Sequence, residues 1–135
     1  MVIKWSKELE TGNHDIDEQH KELVLMYTKL YLICTSKLAM FDMNKEITQA
    51  LDFLCSYTVE HFAFEEELQE KSGFPDYKRH KQLHDEFKQR AVKMSETFKK
   101  VGFSDTFATI VHSQIGLWLV THIKEEDAKI AAYIK

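Results

Sequence analysis

The chain has 135 residues, 44% of them apolar and 30% charged, with a formal charge of -4. That suits one domain, residues 1–135, with a sizeable core, and so mild a charge leaves no footprint for nucleic acid or an anionic membrane surface. No apolar run approaches the roughly 20 residues of a membrane span, and Met1-Val2-Ile3-Lys4-Trp5 lacks the apolar core of a signal peptide. A cytoplasmic protein is therefore expected. Four glycines and a single proline, Pro75, predict long helices with few turns.

After an N-terminal arm, the first helix is expected from Ile16 to about Leu38, with His20, Leu23, Val24, Tyr27, Leu30 and Cys34 inward at 3-4 spacing. A break at Phe41-Asp42-Met43 follows, with Asn44 as N-cap of the second helix. That helix runs to about Lys71 and turns Ile47, Leu51, Leu54, Thr58, His61, Glu65 and Leu68 inward. Ser72-Gly73-Phe74-Pro75 stops it, since glycine suits the C-terminal cap and proline blocks continuation. Asp76 is the expected cap of the third helix, whose face is Tyr77, His80, His84, Phe87, Ala91, Met94 and Phe98. Gly102 ends it. Ser104 or Asp105 starts the fourth, which turns Phe107, Val111, Ile115, Trp118, Leu119 and His122 to one side. The expected fold is all-α: an antiparallel up-down-up-down four-helix bundle with an N-terminal arm. Cys34 and Cys55, in apolar helical settings, are expected to be buried free thiols.

The polar interruptions of the four stripes share one end of such a bundle. His20 lies early in helix one, His61 and Glu65 late in helix two, His80 and His84 early in helix three, and His122 late in helix four. His80 and His84 are an i,i+4 pair on one helical face, and His61 and Glu65 repeat that spacing. Each histidine alone reads as a hydrogen-bonded core residue. Gathered in one layer they are costly to bury without compensation, which a metal supplies. Asp127 follows His122 by five residues, about 140° around a regular helix. The two share a face only if the helix widens, so a π-type turn is expected between them.

Imidazoles and carboxylates without thiolates suit iron, manganese or zinc, and this set is too large for one structural zinc. Two octahedral metals would offer about twelve positions. Five histidines, two bridging carboxylates and one oxo or hydroxo bridge leave a single position open for a small ligand. No Glu-x-x-His motif of the ferritin-like di-iron kind occurs.

The motifs Thr11-Gly12, Ile16-Asp17-Glu18-Gln19-His20-Lys21, His61-Phe62-Ala63-Phe64-Glu65-Glu66, Phe74-Pro75, His80-Lys81-Gln82-Leu83-His84 and Trp118-Leu119-Val120-Thr121-His122-Ile123, with Trp5 and Asp127, resemble the hemerythrin family, in particular its bacterial single-domain members. The resemblance spans nearly the whole chain. It implies a non-haem di-iron centre that binds O2 reversibly at an open iron, with oxidation of both ferrous ions. By it, His80, His84 and His122 complete the saturated iron, His20 and His61 hold the open one, and Glu65 and Asp127 bridge. Leu119 resembles the apolar residue over the O2 site, and Trp118 is core and pocket wall. Two positions depart from the pattern: Ile130 stands where the family often has tyrosine, and Asn13-His14 where an apolar residue is common. His14 is expected at the surface, His112 solvent-facing or packed, and Glu66, Glu125 and Glu126 on a solvated acidic face.

The leading function is reversible dioxygen binding for storage, delivery or buffering, non-enzymatic and monomeric. Alternatives are an O2 or redox-sensing module, a di-iron peroxide or nitric oxide reductase, and a metal-free bundle. The lack of an inward acid beyond the ligands weighs against reduction chemistry.

Overall fold

The structure, a computed structural model, describes residues 3–36 and 43–134. Helix α1 is His14–Thr35, α2 is Asn44–Ser72 and α3 is Tyr77–Val101. The fourth helix, α4, spans 105–133 in five segments: α-helical Asp105–Ile110, π-helical Val111–Leu117, α-helical Trp118–His122, π-helical Ile123–Asp127 and α-helical Ala128–Tyr133. Together they form an antiparallel four-helix bundle. α1 packs on α2 and α4, α2 packs on α3, and α3 meets α4 through Phe87 on Trp118 and Phe98 on Phe107. At the surface between α3 and α4 lies a cleft walled by Arg79, Leu83, Leu117, Trp118 and His122.

The apolar stripes behave as their spacing predicts: Leu23, Tyr27, Leu30, Ile47, Leu51, Phe87, Phe98 and Val111 are buried in one core. One stripe rotates slightly. Gln69, not Leu68, is the buried residue a turn beyond Glu65. Tyr77 is half-buried, and its hydroxyl donates to Glu70 Oε1 at 2.5 Å.

The helix ends differ in detail from the sequence reading. α1 starts two residues earlier than expected, because the Asn13 side chain accepts the Ile16 N–H at 3.0 Å. Its expected end at Leu38 and the break at Phe41-Asp42 lie outside the described residues. Asn44 is the first helical residue rather than the cap; Met43 precedes it without a side-chain bond. Asp76 occupies the cap position of α3 but spends its carboxylate on Arg79 Nε at 2.8 Å. Gly73 closes α2 at φ 69°, with Phe74 N–H returning to the Gln69 carbonyl at 3.0 Å, the Schellman arrangement that favours glycine. Ser104 caps α4 by accepting from Phe107 N–H at 3.0 Å.

The N-terminal arm is tied down at the polar end of the bundle. Asp17 Oδ1 accepts from the Thr11 N–H at 2.8 Å and its hydroxyl at 2.7 Å, and Asp17 Oδ2 accepts from Gly12 N–H at 3.2 Å. A 3-10 turn, Lys7–Leu9, buries Leu9 and lies against the second π segment of α4. No helix among the described residues is long and apolar enough to cross a membrane.

Candidate metal centre

The five inward histidines and two carboxylates meet in one layer, each at most 4% exposed. α1 contributes His20, α2 His61 and Glu65, α3 His80 and His84, and α4 His122 and Asp127. Asp127 reaches the layer because the helix between it and His122 is π-helical, as the five-residue spacing predicts.

The two carboxylates divide the layer. Glu65 Oε2 faces His61 Nε2 at 3.3 Å and His20 Nε2 at 3.5 Å, while its Oε1 faces His84 Nε2 at 3.4 Å and His80 Nε2 at 3.9 Å. Asp127 Oδ2 faces His20 Nε2 at 2.8 Å, while its Oδ1 faces both His80 Nε2 and His122 Nε2 at 3.1 Å. Two donor groups result, Glu65-His80-His84-His122-Asp127 and His20-His61-Glu65-Asp127, the donor atoms within each lying within 4.8 Å of one another. Each carboxylate gives one oxygen to each group, the geometry of a pair of bridges.

These donors fit metal. Nε2 of His20, His61 and His80 and both oxygens of Glu65 and Asp127 are buried and face one another without a well-directed hydrogen bond, an arrangement that a cation satisfies better than the ion contacts alone. Two imidazoles have their tautomers fixed from behind: His61 Nδ1 donates to Gln19 Oε1 at 2.7 Å and His84 Nδ1 to Glu66 Oε2 at 2.9 Å, which leaves each Nε2 a lone pair. His84 Nε2 faces His122 Nε2 at 3.1 Å, a contact a shared cation reconciles.

Without metal, the charges hold one another. Burial alone would depress the His20 imidazolium, but Asp127 and Glu65 outweigh it and raise the group to about 9. Burial pushes the Glu65 and Asp127 carboxyls up, yet the surrounding imidazoles hold both well below the usual carboxylate range. His84 is pushed down by burial, only partly offset by Glu65.

A family model described as the hemerythrin HHE cation binding domain matches residues 11–134. The chain belongs to the hemerythrin family. It is similar to a bacteriohemerythrin of Stenotrophomonas maltophilia (strain R551-3), 28% identical across 99% of this chain and 82% of that one. A hemerythrin-like protein of Naegleria gruberi is 34% identical over 94% and 89% of the two chains. Solved hemerythrin structures superpose well: the wild type at TM-score 0.79, 28% identical over 95% and 94% of the two chains, and a leucine-to-alanine mutant at 0.82, 27% identical over 98% and 96%.

Around this hemerythrin centre the structure adds residues the sequence reading missed and corrects others. Gln19 and Glu66 back His61 and His84, roles that neighbouring motif positions alone do not reveal. Glu66 is thus no member of a solvated face, and Glu126 is largely buried and paired with Arg79 at 2.5 Å; Glu125 is exposed as expected. His14 is exposed, and half-buried His112 accepts or donates at the Tyr27 hydroxyl, 3.1 Å away. Ile130 is wholly buried and offers no hydroxyl. Leu119 is in the core one turn before His122. Trp118 is half-buried and stacks on His122, 4.4 Å between ring centroids and 11° between planes, so it borders the three-histidine group.

Proposed function

We propose that this hemerythrin-family chain binds dioxygen reversibly at a non-haem di-iron centre and serves as an oxygen carrier, store or buffer. The split of Glu65 and Asp127, one oxygen to each donor group, carries the reading. His80, His84 and His122 would hold one iron, His20 and His61 the other, and the two carboxylates both. The two-histidine position has one protein donor fewer, so it is the one left open to a small ligand.

An iron pair supplies that open position and the two electrons that reversible dioxygen binding uses. The chain's residues keep the centre dry and its rings oriented. Gln19 and Glu66 hold the Nδ1 protons of His61 and His84, so both rings present Nε2 inward. Phe62 lies against His61, His84 and His122, and Leu119 is buried one turn before His122, so both put apolar surface where it would exclude water. Among the described residues, Glu65 and Asp127 are the sole buried acids. The two further acids close to the layer are both engaged, Glu66 by His84 Nδ1–H and Glu126 by Arg79, which supports a non-enzymatic role. Cys34 and Cys55 are free thiols, Cys34 buried as expected and Cys55 only half-buried, which suits a reducing compartment. The whole chain, 1–135, is read as one such unit.

The test is to load the protein with iron, reduce it without oxygen, admit O2 and then remove it. Repeated cycling of the spectrum is expected. A single irreversible conversion, or fewer than about two irons per chain in well-loaded protein, overturns the reading.

A further inference from the structure

The two imidazoles that are backed from behind are backed by different chemistry. His84, in the three-histidine group, donates its Nδ1 proton to a carboxylate, Glu66 Oε2, at 2.9 Å. His61, in the two-histidine group, donates its own to a neutral amide, Gln19 Oε1, at 2.7 Å. The Glu66 side chain is 13% exposed, so water screens its charge only partly. The nearest cation, exposed Lys81, stands off at 4.0 Å and shares itself with Asp85 at 3.0 Å. Phe62 lies flat on the His84 ring, 3.7 Å between centroids and 4° between planes, and holds it in line with Glu66.

A carboxylate accepting from Nδ1–H pushes electron density through the imidazole and makes Nε2 a stronger donor; an amide does so far less. We propose that Glu66 and Gln19 make the two metal positions electronically unequal: the three-histidine position is built to become ferric first, and the two-histidine position is built to stay ferrous longest. The inference rests on the di-iron reading above. Each oxidation passes one electron from one ferrous ion to an external one-electron acceptor, the electrode mediator in the titration below, and the Nδ1 protons stay on their rings. The consequence is a centre whose open position keeps its electron until the ligand arrives, with Glu66 and Gln19 as positioning residues that set the order.

The test uses the iron-loaded full chain, first assayed for iron content, then titrated spectroelectrochemically through its two one-electron steps. Glu66→Gln keeps an acceptor oxygen behind His84 but removes the charge; Gln19→Glu adds a charge behind His61. Each change is expected to bring the two steps together. The comproportionation constant of the mixed-valent form should fall about tenfold in each, the low end of the effects that such outer partners have on metal sites. The mean potential should rise in Glu66→Gln and fall in Gln19→Glu, the opposite signs that a merely structural role would not produce. An unchanged constant in both variants, or mean potentials that move the same way, overturns the inference. So does Glu66→Ala differing from the wild type while Glu66→Gln matches it, since that makes Glu66 a simple support. A wild-type chain that holds fewer than two irons defeats the di-iron reading itself, and the iron assay shows that before any potential is measured.

Discussion

The Trp118 indole lies on the His122 imidazole, nearly parallel and 4.4 Å away between centroids, and it also stacks on Phe87 at 4.3 Å. One of the chain's two tryptophans is therefore in contact with a ring assigned to iron, and the other, Trp5, is on the N-terminal arm. Iron bound at His122 is expected to quench Trp118 emission. Fluorescence of the iron-loaded and iron-free proteins should differ strongly in the wild type and in Trp5→Phe, and weakly in Trp118→Phe. Equal quenching in Trp118→Phe would separate His122 from the iron.

Gly116 sits inside the first π segment of α4, where a Cβ would meet Tyr27 Cζ and its hydroxyl at 2.5 Å. Tyr27 is wholly buried and held by His112, so its ring has nowhere to retreat. Gly116→Ala gains up to about 1 kcal/mol of helix propensity but overpacks the core by about 1–3 kcal/mol. Urea unfolding of the iron-free protein should show net destabilisation. A neutral or stabilised variant would mean that the ring is free to move.

The polar layer was legible because its residues fall at i,i+4 spacing and at matching ends of successive helices, and because His122 and Asp127 sit at an interval that no regular helix reconciles. The residues that stayed hidden act across helices. Gln19 reaches from α1 to α2 and Glu66 from α2 to α3, and nothing in the local pattern says which way either points. Leu68 and Gln69 are both within a turn of Glu65, so hydrophobicity favoured the leucine while the bundle's twist buried the amide. The first π segment has no pair of ligands to betray it. A glycine in mid-helix, Gly116, was its one trace.

The second π segment works as a register device. It carries one residue more than a regular helix needs to put His122 and Asp127 on one face. Deleting exposed Lys124 leaves four steps between them, about 40° apart on a regular helix. The variant is expected to keep two irons per chain and to melt at the same temperature or higher, since weaker π hydrogen bonding is replaced by α. Loss of iron loading, with the fold retained by circular dichroism, would show that the wide turn itself is required.

Leu119 should protect the centre rather than build it. It is buried in the core one turn before His122 and carries no donor. Leu119→Asn places a polar group among these side chains and should admit water. Autoxidation after oxygenation is expected to accelerate at least several-fold while iron content stays the same. An unchanged autoxidation rate would remove Leu119 from the ligand's surroundings.

Iron-free and iron-loaded protein should respond to alkali differently. His20 is raised from 6.5 to about 9 because Asp127 and Glu65 more than offset its burial. A raised imidazolium stabilises the fold fully below pH 6.5, and that contribution is lost as pH climbs through about 9. Glu65 and Asp127, held below their ordinary range by the imidazoles, contribute above that range and fail only in acid. His84, pushed down by burial, likewise favours the fold as pH rises out of the acid side. Between pH 6.5 and 9.5 the only one of these contributions still changing is that of His20, so the iron-free protein should lose thermal stability across that window. Iron asks the same imidazoles to be unprotonated, so the melting-temperature gap between loaded and iron-free protein should widen as pH rises. Calorimetry at three pH values would decide it: an iron-free melting temperature that is flat or rising from 6.5 to 9.5 would show that His20 is not charged between the two carboxylates.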